Sequence, residues 1–221
     1  MADLTALVAC ECSGIFRDAL IAEGVDAVSC DLKPNERGGP HIQDDVLNHL
    51  WKPWDLLIGM PVCRYLANSG VRWLYEDVSR WPKMFEGAEF FNALDRADHI
   101  PHRAIENSVM HKYARQLVGR DSDQTVQPWW HGDPFFKGTS FWLTNLPPLE
   151  DTNRLTPPEP GTEEHKRWSR VHRMGASKGV DRETERSRTH PGIARAGAKQ
   201  WVAHIRAQRR APTFFNLMEA A

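Results

Sequence analysis

Short apolar runs and amphipathic stretches alternate along most of the chain. The apolar runs predict buried strands at residues 4–10, 25–32, 54–60, 102–108 and 138–149, with a shorter segment in 41–50 that ends at Asp44 and Asp45. Apolar side chains at helical spacing predict helices over 12–24, 80–97 and 187–208, the last entered near Pro191. Strands that alternate with helices favour an α/β fold with a parallel sheet.

Length and composition are consistent with one domain that spans residues 1–221. The chain has 221 residues, of which 41% are hydrophobic, and this is enough to build a full core. The alternating pattern stops between residues 150 and 170, where proline and charged residues predict a loop. We therefore expect a loop-rich segment that is followed by a terminal helix.

Charge is distributed unevenly, although the formal net charge is only −1. Residues 1–150 contain 14 Lys and Arg against 21 Asp and Glu, whereas residues 151–221 contain 14 against 8. A basic C-terminal third on an acidic body suits a protein that approaches a polyanion, and it suits an arginine-rich solvated tail equally well. Charge alone leaves both interpretations open.

Cysteine and histidine spacing argues against a structural metal site. The four cysteines are Cys10, Cys12, Cys30 and Cys63, and they form no CxxC pair. The ten histidines show no HxxxH or similar ligand spacing. We expect no signal peptide, and no apolar run in the sequence reaches transmembrane length. We expect free thiols, no membrane partner and a cytoplasmic location.

Polar and small residues collect where the predicted strands end, which is where open parallel sheets bind ligands. The turn at residues 11–14 lets a ligand approach the backbone closely. Asp31 is placed to accept hydrogen bonds from ribose hydroxyls. An acidic residue after the third strand is placed to accept one from a purine amino group. No GxGxxG run is present to hold a diphosphate. A nucleoside cofactor without a diphosphate, such as S-adenosyl-L-methionine, fits this pattern.

Two further strand ends supply a reactive pair, Cys63 and Glu106. A thiolate can attack C6 of cytosine while a carboxylic acid protonates N3, and C5 then becomes nucleophilic enough to take a methyl group. Taken alone, the cysteine is more often a buried apolar residue, and the glutamate is more often part of a salt bridge. Their position at the same edge of one sheet favours the chemical role.

In their order along the chain, six segments resemble the DNA (cytosine-5) methyltransferase family in a short form met in phage and bacterial genomes. They are ACECSG, CDL, QDDV, GMPVC, IENS and SRTHPGIARAGAKQW, and the resemblance covers roughly residues 4–201. It implies a Rossmann-like S-adenosyl-L-methionine-dependent methyltransferase fold, with a central mostly parallel seven-stranded sheet flanked by helices. It also implies that Cys63 is the nucleophile and that Glu106 contacts N3 of a cytosine flipped out of DNA, in a bacterial or phage-infected cell.

The resemblance extends to the residues around the reactive pair. It implies cofactor contacts from Glu11, Cys12, Ser13, Gly14, Asp31, Leu32, Asp45, Val46 and Pro61. The short region 150–185 would replace a larger DNA-reading region, and the helix at 186–205 would complete the cofactor pocket. Val62 and Arg64 depart from the usual Pro-Pro-Cys-Gln segment. No Gln-x-Arg-x-Arg segment is evident, so Lys137, Arg154 or another basic residue would stand in for it.

DNA contacts are predicted from polar and basic residues near these segments. The predicted set is Arg64, Asn68, Ser69, Arg72, Asn107, Lys137, Arg170 and Arg173, with Arg167, Lys178, Arg186 and Arg188 as further candidates for phosphate. His111, Lys112 and Arg115 form either a phosphate contact or a solvated helix face. The aromatic cluster at 129–136 either stacks on bases or forms a hydrophobic lid, and we favour the lid.

Three alternatives remain open at this point. The same scaffold would serve a different nucleic acid, a free nucleotide or another one-carbon donor. Val62 and Arg64 instead motivate a DNA-binding protein with weak catalysis. A subunit that relies on a partner chain or a second copy for recognition is the third.

Overall fold

A computed structural model describes residues 4–169 and 188–210. The strands are β1 (Thr5–Ala9), β2 (Asp26–Asp31), β3 (His41–Gln43), β4 (Leu56–Gly59), β5 (His102–Ser108), β6 (Gln124–Val126) and β7 (Thr139–Thr144). The α-helices are α1 (Ile15–Ala22), α2 (Trp73–Glu76), α3 (Arg80–Asp95), α4 (Lys112–Val118), α5 (Glu163–Trp168) and α6 (Pro191–Arg210). Short 3-10 helices lie at Val46–Asn48, Asn68–Gly70 and Pro128–Trp130.

All seven strands belong to one sheet with the order β3-β2-β1-β4-β5-β7-β6. Every pair from β3 to β5 is parallel, and β7 runs antiparallel to both β5 and β6. The predicted α/β class, with a mostly parallel central sheet flanked by helices, is confirmed. Strand β6 has three residues and no apolar run, so its sequence gave no periodic signal.

The central strands are apolar because helices cover both faces of the sheet. All four residues of β4 are buried, as expected for a parallel strand in the middle of an α/β sheet. On one face, α1 and α6 pack together, and the rings of Phe16 and Trp201 stack at 6.0 Å. On the other face, α3 and α4 supply the core, where Phe91 meets Trp142 edge-on at 4.9 Å.

The aromatic turn at 129–136 is packed against the protein, as the lid interpretation expects. Trp130 packs against the core on the α1 and α6 face, and Phe136 lies 5.3 Å from the ring of Trp168. Asp133 Oδ2 accepts a 2.6 Å hydrogen bond from the backbone N–H of Gly192 at the start of α6. A side chain at Gly192 would lie 2.2 Å from the His131 carbonyl oxygen, so this contact needs a glycine.

The prediction of a continuous loop over 150–170 is wrong at its C-terminal end, where α5 forms. The Thr162 hydroxyl accepts a 3.1 Å hydrogen bond from His165 N–H and caps the helix. Acidic residues occupy the first turn and basic residues the last, as the helix dipole favours. Trp168 is buried and anchors the helix. In the parts of the chain covered by the structure, no helix has the length and apolarity needed to span a membrane.

Candidate active site

One large cavity lies at the carboxyl ends of the central strands, with a volume of about 1050 Å³. Strands β2, β1, β4 and β5 are neighbours, so the segments that follow them meet at one edge. Eight of the nine predicted cofactor-binding residues line the cavity, together with both predicted catalytic residues. These are Glu11, Cys12, Ser13, Asp31, Leu32, Asp45, Val46, Pro61, Cys63 and Glu106.

Glu11 uses its carboxylate to build the first loop. Its Oε1 accepts a 2.6 Å hydrogen bond from Phe16 N–H, and its Oε2 accepts one of 3.1 Å from Arg17 N–H. The Ser13 hydroxyl donates a third bond of 3.2 Å. Burial raises the pKa of Glu11, and these hydrogen bonds oppose that effect. The carboxylate therefore holds the start of α1 against the loop that borders the cavity.

Gly14 differs from the prediction, since it is absent from the residues that line the cavity. Its backbone is left-handed (φ 69°), and an added Cβ would lie 2.2 Å from Nη2 of Arg17. Arg17 is fully buried and donates to the carbonyl oxygens of Gly38 and Pro40 at 2.6 and 3.3 Å. Gly14 thus makes room for an arginine that fixes the loop between β2 and β3.

Two acidic segments border the same part of the cavity. Asp31 ends β2, and its Oδ1 accepts a 2.8 Å hydrogen bond from Lys33 N–H. The next residue, Leu32, is 73% exposed beside it. Asp45 caps a 3-10 helix through Leu47 N–H at 3.0 Å, and Val46 is buried beneath it. An exposed apolar side chain between carboxylates suits a ligand with an apolar ring and hydroxyl groups.

The Cys63 loop is held in place from β5. Asn107 is 1% exposed, and its Nδ2 donates a 3.0 Å hydrogen bond to the Pro61 carbonyl oxygen. Its Oδ1 accepts one of 3.0 Å from Ser108 N–H. After Cys63 the chain turns, because Leu66 and Ala67 N–H both donate to its carbonyl oxygen. The predicted DNA contact of Asn107 therefore competes with two bonds to the protein's own backbone.

Glu106 lies on β5, where it is buried. Burial raises its pKa, which favours the protonated carboxylic acid. The charge of Lys137 and a hydrogen bond with Thr189 oppose this shift. Lys137 is itself oriented by a 3.0 Å bond from its Nζ to the Arg188 carbonyl oxygen. The site thus contains a buried carboxyl group beside the positive charge of Lys137. Burial favours its protonated form, and this environment suits a proton donor.

The predicted DNA-binding residues are only partly brought together. Arg64, Asn68, Ser69, Asn107 and Lys137 line the cavity. Arg72 is exposed outside it, with its guanidinium 4.5 Å from the ring centre of Trp73. His111 is buried and caps α4, so it offers no phosphate contact. Arg170 and Arg173 lie outside the described residues, as do Lys178 and Arg186.

Several lining residues were not predicted as site residues. Trp73, Arg80 and Phe90 come from the segment between β4 and the end of α3, and Thr189 precedes α6. No local motif marks them, since only the folding of α2 and α3 against the Cys63 loop brings them to the cavity. Among residues 4–169 and 188–210, no three His, Cys, Asp or Glu side chains are grouped to hold a metal ion.

Comparison with known proteins gives no match to a protein-family model or to a curated protein. The chain is similar to a prophage-encoded E. coli protein described as a DNA modification methyltransferase, at 19% identity and TM-score 0.41, over 64% of this chain and 46% of that one. It is also similar to the Entamoeba histolytica methyltransferase EhMeth, at 12% identity and TM-score 0.44, over 82% of this chain and 62% of that one. A third similar structure is a variant of Spodoptera frugiperda DNMT2, at 14% identity and TM-score 0.37, over 71% of this chain and 56% of that one. The chain thus spans 46 to 62% of the length of these proteins.

Proposed function

We propose that this protein transfers a methyl group from S-adenosyl-L-methionine to C5 of cytosine in DNA through a covalent Cys63 adduct. The observation that carries the proposal is the continuity of the cavity. Cys63 and Glu106 line the same space as the Glu11–Ser13 loop, Asp31 and Asp45. A nucleophile and a proton donor thus share one volume with carboxylates that suit a nucleoside.

The cofactor fits the carboxylate side of the cavity by its chemistry. Asp31 would accept hydrogen bonds from the ribose hydroxyls, and Asp45 one from the adenine amino group. Leu32 and Val46 would cover the faces of the adenine ring, and the 11–13 turn would contact the methionine portion. The bound cofactor supplies an electrophilic methyl group on a sulfonium ion.

The chain's own side chains carry the remaining steps. The Cys63 thiolate forms a bond to C6 of cytosine, while Glu106 donates a proton to N3. The electron pair released toward C5 takes the methyl group. The C5 proton passes to solvent water and the thiolate departs from C6, which restores the aromatic ring, and N3 returns its proton to Glu106. The Cys63 thiolate and the Glu106 carboxylic acid end as they began.

The target base must leave the DNA stack for this reaction. Neighbouring bases cover C6 in a duplex, so Cys63 cannot reach it without extrusion of the nucleotide. Glu106 is buried at the wall of the cavity, and the flipped cytosine would therefore enter with N3 leading. Asn68 and Ser69 lie at the cavity beside Cys63 and are placed to contact the extruded nucleotide.

Covalent trapping tests the proposal. The protein is mixed with S-adenosyl-L-methionine and duplex DNA that contains 5-fluorocytosine, and denaturing gels detect protein attached to DNA. Fluorine at C5 blocks the last proton loss, so the Cys63–C6 bond should persist. Cys63→Ser should abolish the adduct. Cys10→Ser removes another thiol that lines the cavity and should retain it.

The same assay separates the alternative substrates. An adduct that depends on Cys63 establishes the nucleophile and the attacked carbon. An adduct with RNA or with 5-fluoro-dCMP, and none with duplex DNA, would overturn DNA as the substrate. Absence of any adduct, with cofactor binding measured separately, would overturn the covalent mechanism.

A further inference from the structure

We infer that a basic and aromatic surface beside the Cys63 cavity, formed by α2, α3 and the start of α4, binds the DNA backbone next to the target cytosine. This inference rests on the proposed function for the presence of a flipped base. We name this surface the Tyr65–Tyr113 face. Its members are Tyr65, Trp73, Tyr75, Trp81 and Tyr113, with the cations Arg64, Arg72, Arg80, Lys83 and Lys112.

Cations and rings alternate on this face. Arg80 lies 4.8 Å from the Tyr65 ring centre, and Lys83 lies 5.8 Å from it. Arg72 lies 4.5 Å from the Trp73 ring, and Lys112 lies 4.8 Å from the Tyr113 ring. Such contacts orient long side chains that would otherwise be mobile. Fixed cations with exposed ring edges are the combination that single strands and unstacked bases bind.

The rings form a continuous surface rather than isolated contacts. Trp81 meets Tyr113 at 5.2 Å and Tyr75 at 6.5 Å, both edge-on. Tyr75 remains 64% exposed and Val78 78% exposed. Exposed apolar area of this kind, rimmed by cations, is typical of an interaction site.

The face is joined directly to the Cys63 loop. His111 is buried between them, and its Nε2 donates a 3.0 Å hydrogen bond to the Tyr65 carbonyl oxygen. Asn68 N–H donates to the Val109 carbonyl oxygen at 2.8 Å. Trp73 and Arg80 line the cavity as well as belonging to the face. A nucleotide chain that leaves the cavity on this side would therefore pass over the cations.

Arg80 belongs to both the Tyr65–Tyr113 face and the cavity lining. Its Nε is buried and has no hydrogen-bond partner among the residues that the structure covers. An arginine guanidinium also carries terminal N–H donors, which match a phosphate oxygen in charge and geometry. The Arg80 side chain borders the cavity, where a phosphate of the target nucleotide or its neighbour would lie.

The region expected to read DNA offers less to a polyanion in its described part. Residues 150–169 hold five acidic and three basic residues. Arg154 forms an ion pair with Asp151 and lies 5.0 and 4.6 Å from the rings of Trp129 and Trp130. Lys166 forms an ion pair with Glu163. Arg154 and Lys166 are thus each paired with a carboxylate, whereas none of the described carboxylates forms an ion pair with Arg80, Lys83 or Lys112. This difference favours the Tyr65–Tyr113 face as the polyanion site.

Binding of the full chain to DNA at several salt concentrations tests this inference. The probe is a fluorescent duplex of about 20 base pairs, followed by anisotropy between about 50 and 200 mM salt. Lys83→Ala should raise Kd on the order of fivefold and lower the salt slope by about one. Lys52→Ala is the matched control. Lys52 also lies 5.8 Å from the centre of an aromatic ring, that of Trp54, but it precedes β4 and therefore lies at the edge of the sheet opposite the cavity. Its Kd and slope should equal those of the wild type.

A substitution of opposite sign sharpens the test. Asp77 lies in the turn between α2 and α3, and its pKa is lowered first by the Ser79 hydroxyl and also by the charges of Arg80 and Lys83. Asp77→Asn should therefore tighten DNA binding, since it removes a negative charge beside these cations. A protein that bound DNA elsewhere would show no gain.

The outcomes distinguish this inference from the proposed function. Equal Kd and salt slope for Lys83→Ala, Lys52→Ala and the wild type would overturn the inference, while the Cys63 adduct with 5-fluorocytosine would stand. Weaker binding of Lys83→Ala without any adduct would support the surface and overturn the covalent mechanism. Folding of each variant is checked by its unfolding midpoint.

Discussion

At the scale of single residues, Glu106 has the environment that its proposed role requires. Burial raises its pKa, so the folded protein keeps the carboxyl proton at a pH where the unfolded chain has lost it. Lys137 and Thr189 limit that shift and keep the proton available for transfer. The same burial makes the residue a cost to stability at higher pH.

Glu106→Gln should therefore separate activity from stability. The neutral amide cannot donate a proton to N3, and we expect methyl transfer to fall by about 10²- to 10⁴-fold. The contribution of Glu106 to wild-type stability should be fully present below the unfolded pKa of about 4.3 and be lost as pH rises through the higher folded pKa. The gain in unfolding free energy of Glu106→Gln should hence grow with pH, as measured by urea unfolding from acid to neutral pH.

The exposed Glu89 on α3 supplies the control for this experiment. Glu89→Gln should show no gain that grows with pH and no loss of methyl transfer. A difference between Glu106→Gln and the wild type that stays constant with pH would contradict the account of Glu106 burial.

At the scale of elements, α6 depends on a contact far away in sequence. This 20-residue helix closes one face of the sheet, and the segment before it, with Arg188 and Thr189, lines the cavity. The predicted start near Pro191 is confirmed, and the helix extends to Arg210, beyond the expected end. The periodic pattern identified the helix, but the side chain that holds its first turn is Asp133, in the aromatic turn.

Loss of this capping bond should destabilise the protein. Asp133→Ala removes the acceptor of the Gly192 N–H and a negative charge at the positive end of α6, and we expect a loss of about 1–2 kcal/mol. Urea unfolding measures it. Asp121→Ala is the control, because Asp121 is 76% exposed in a surface ion pair with Arg115, and its loss should change stability by less than about 0.5 kcal/mol. Equal effects of both variants would exclude a capping role.

At the scale of the whole molecule, strand order decides which residues meet. Asp31 and Asp26 are the last and first residues of β2, so they lie at opposite edges of the sheet. Only the edge with Asp31 carries the cavity. Strands β1 to β5 run in one direction, and this common direction distinguishes the edge that carries the cavity from the opposite edge.

This difference predicts the behaviour of a matched pair of variants. Asp31→Ala should raise the Kd for S-adenosyl-L-homocysteine by about tenfold or more, because a charged acceptor for the ribose hydroxyls is lost. Asp26→Ala removes the same group from the other end of the strand and should leave the Kd unchanged. Isothermal titration calorimetry measures both. Equal Kd values for the two variants would contradict cofactor binding at Asp31.

Local patterns were enough for the sheet class and the main helices, and together with the family resemblance they identified about half of the residues that line the cavity. Cys63, Glu106 and Asp31 all follow or end apolar runs, and parallel strands bring their carboxyl ends to one edge. Local patterns failed where the determining contact is distant or short. Strand β6 has only three residues, and α5 forms within a proline-rich stretch because Thr162 caps it and Trp168 is buried.

The sequence by itself determined the alternation of strands and helices, since apolar periodicity is a local property that burial imposes on every element. It also determined the types of side chain at the strand ends. Only the tertiary structure decided what those side chains contact. Gly14 makes room for Arg17, Asn107 holds the Pro61 carbonyl, and Arg80 reaches the cavity from α3. Such contacts join residues in different elements, and packing sets them rather than spacing along the chain.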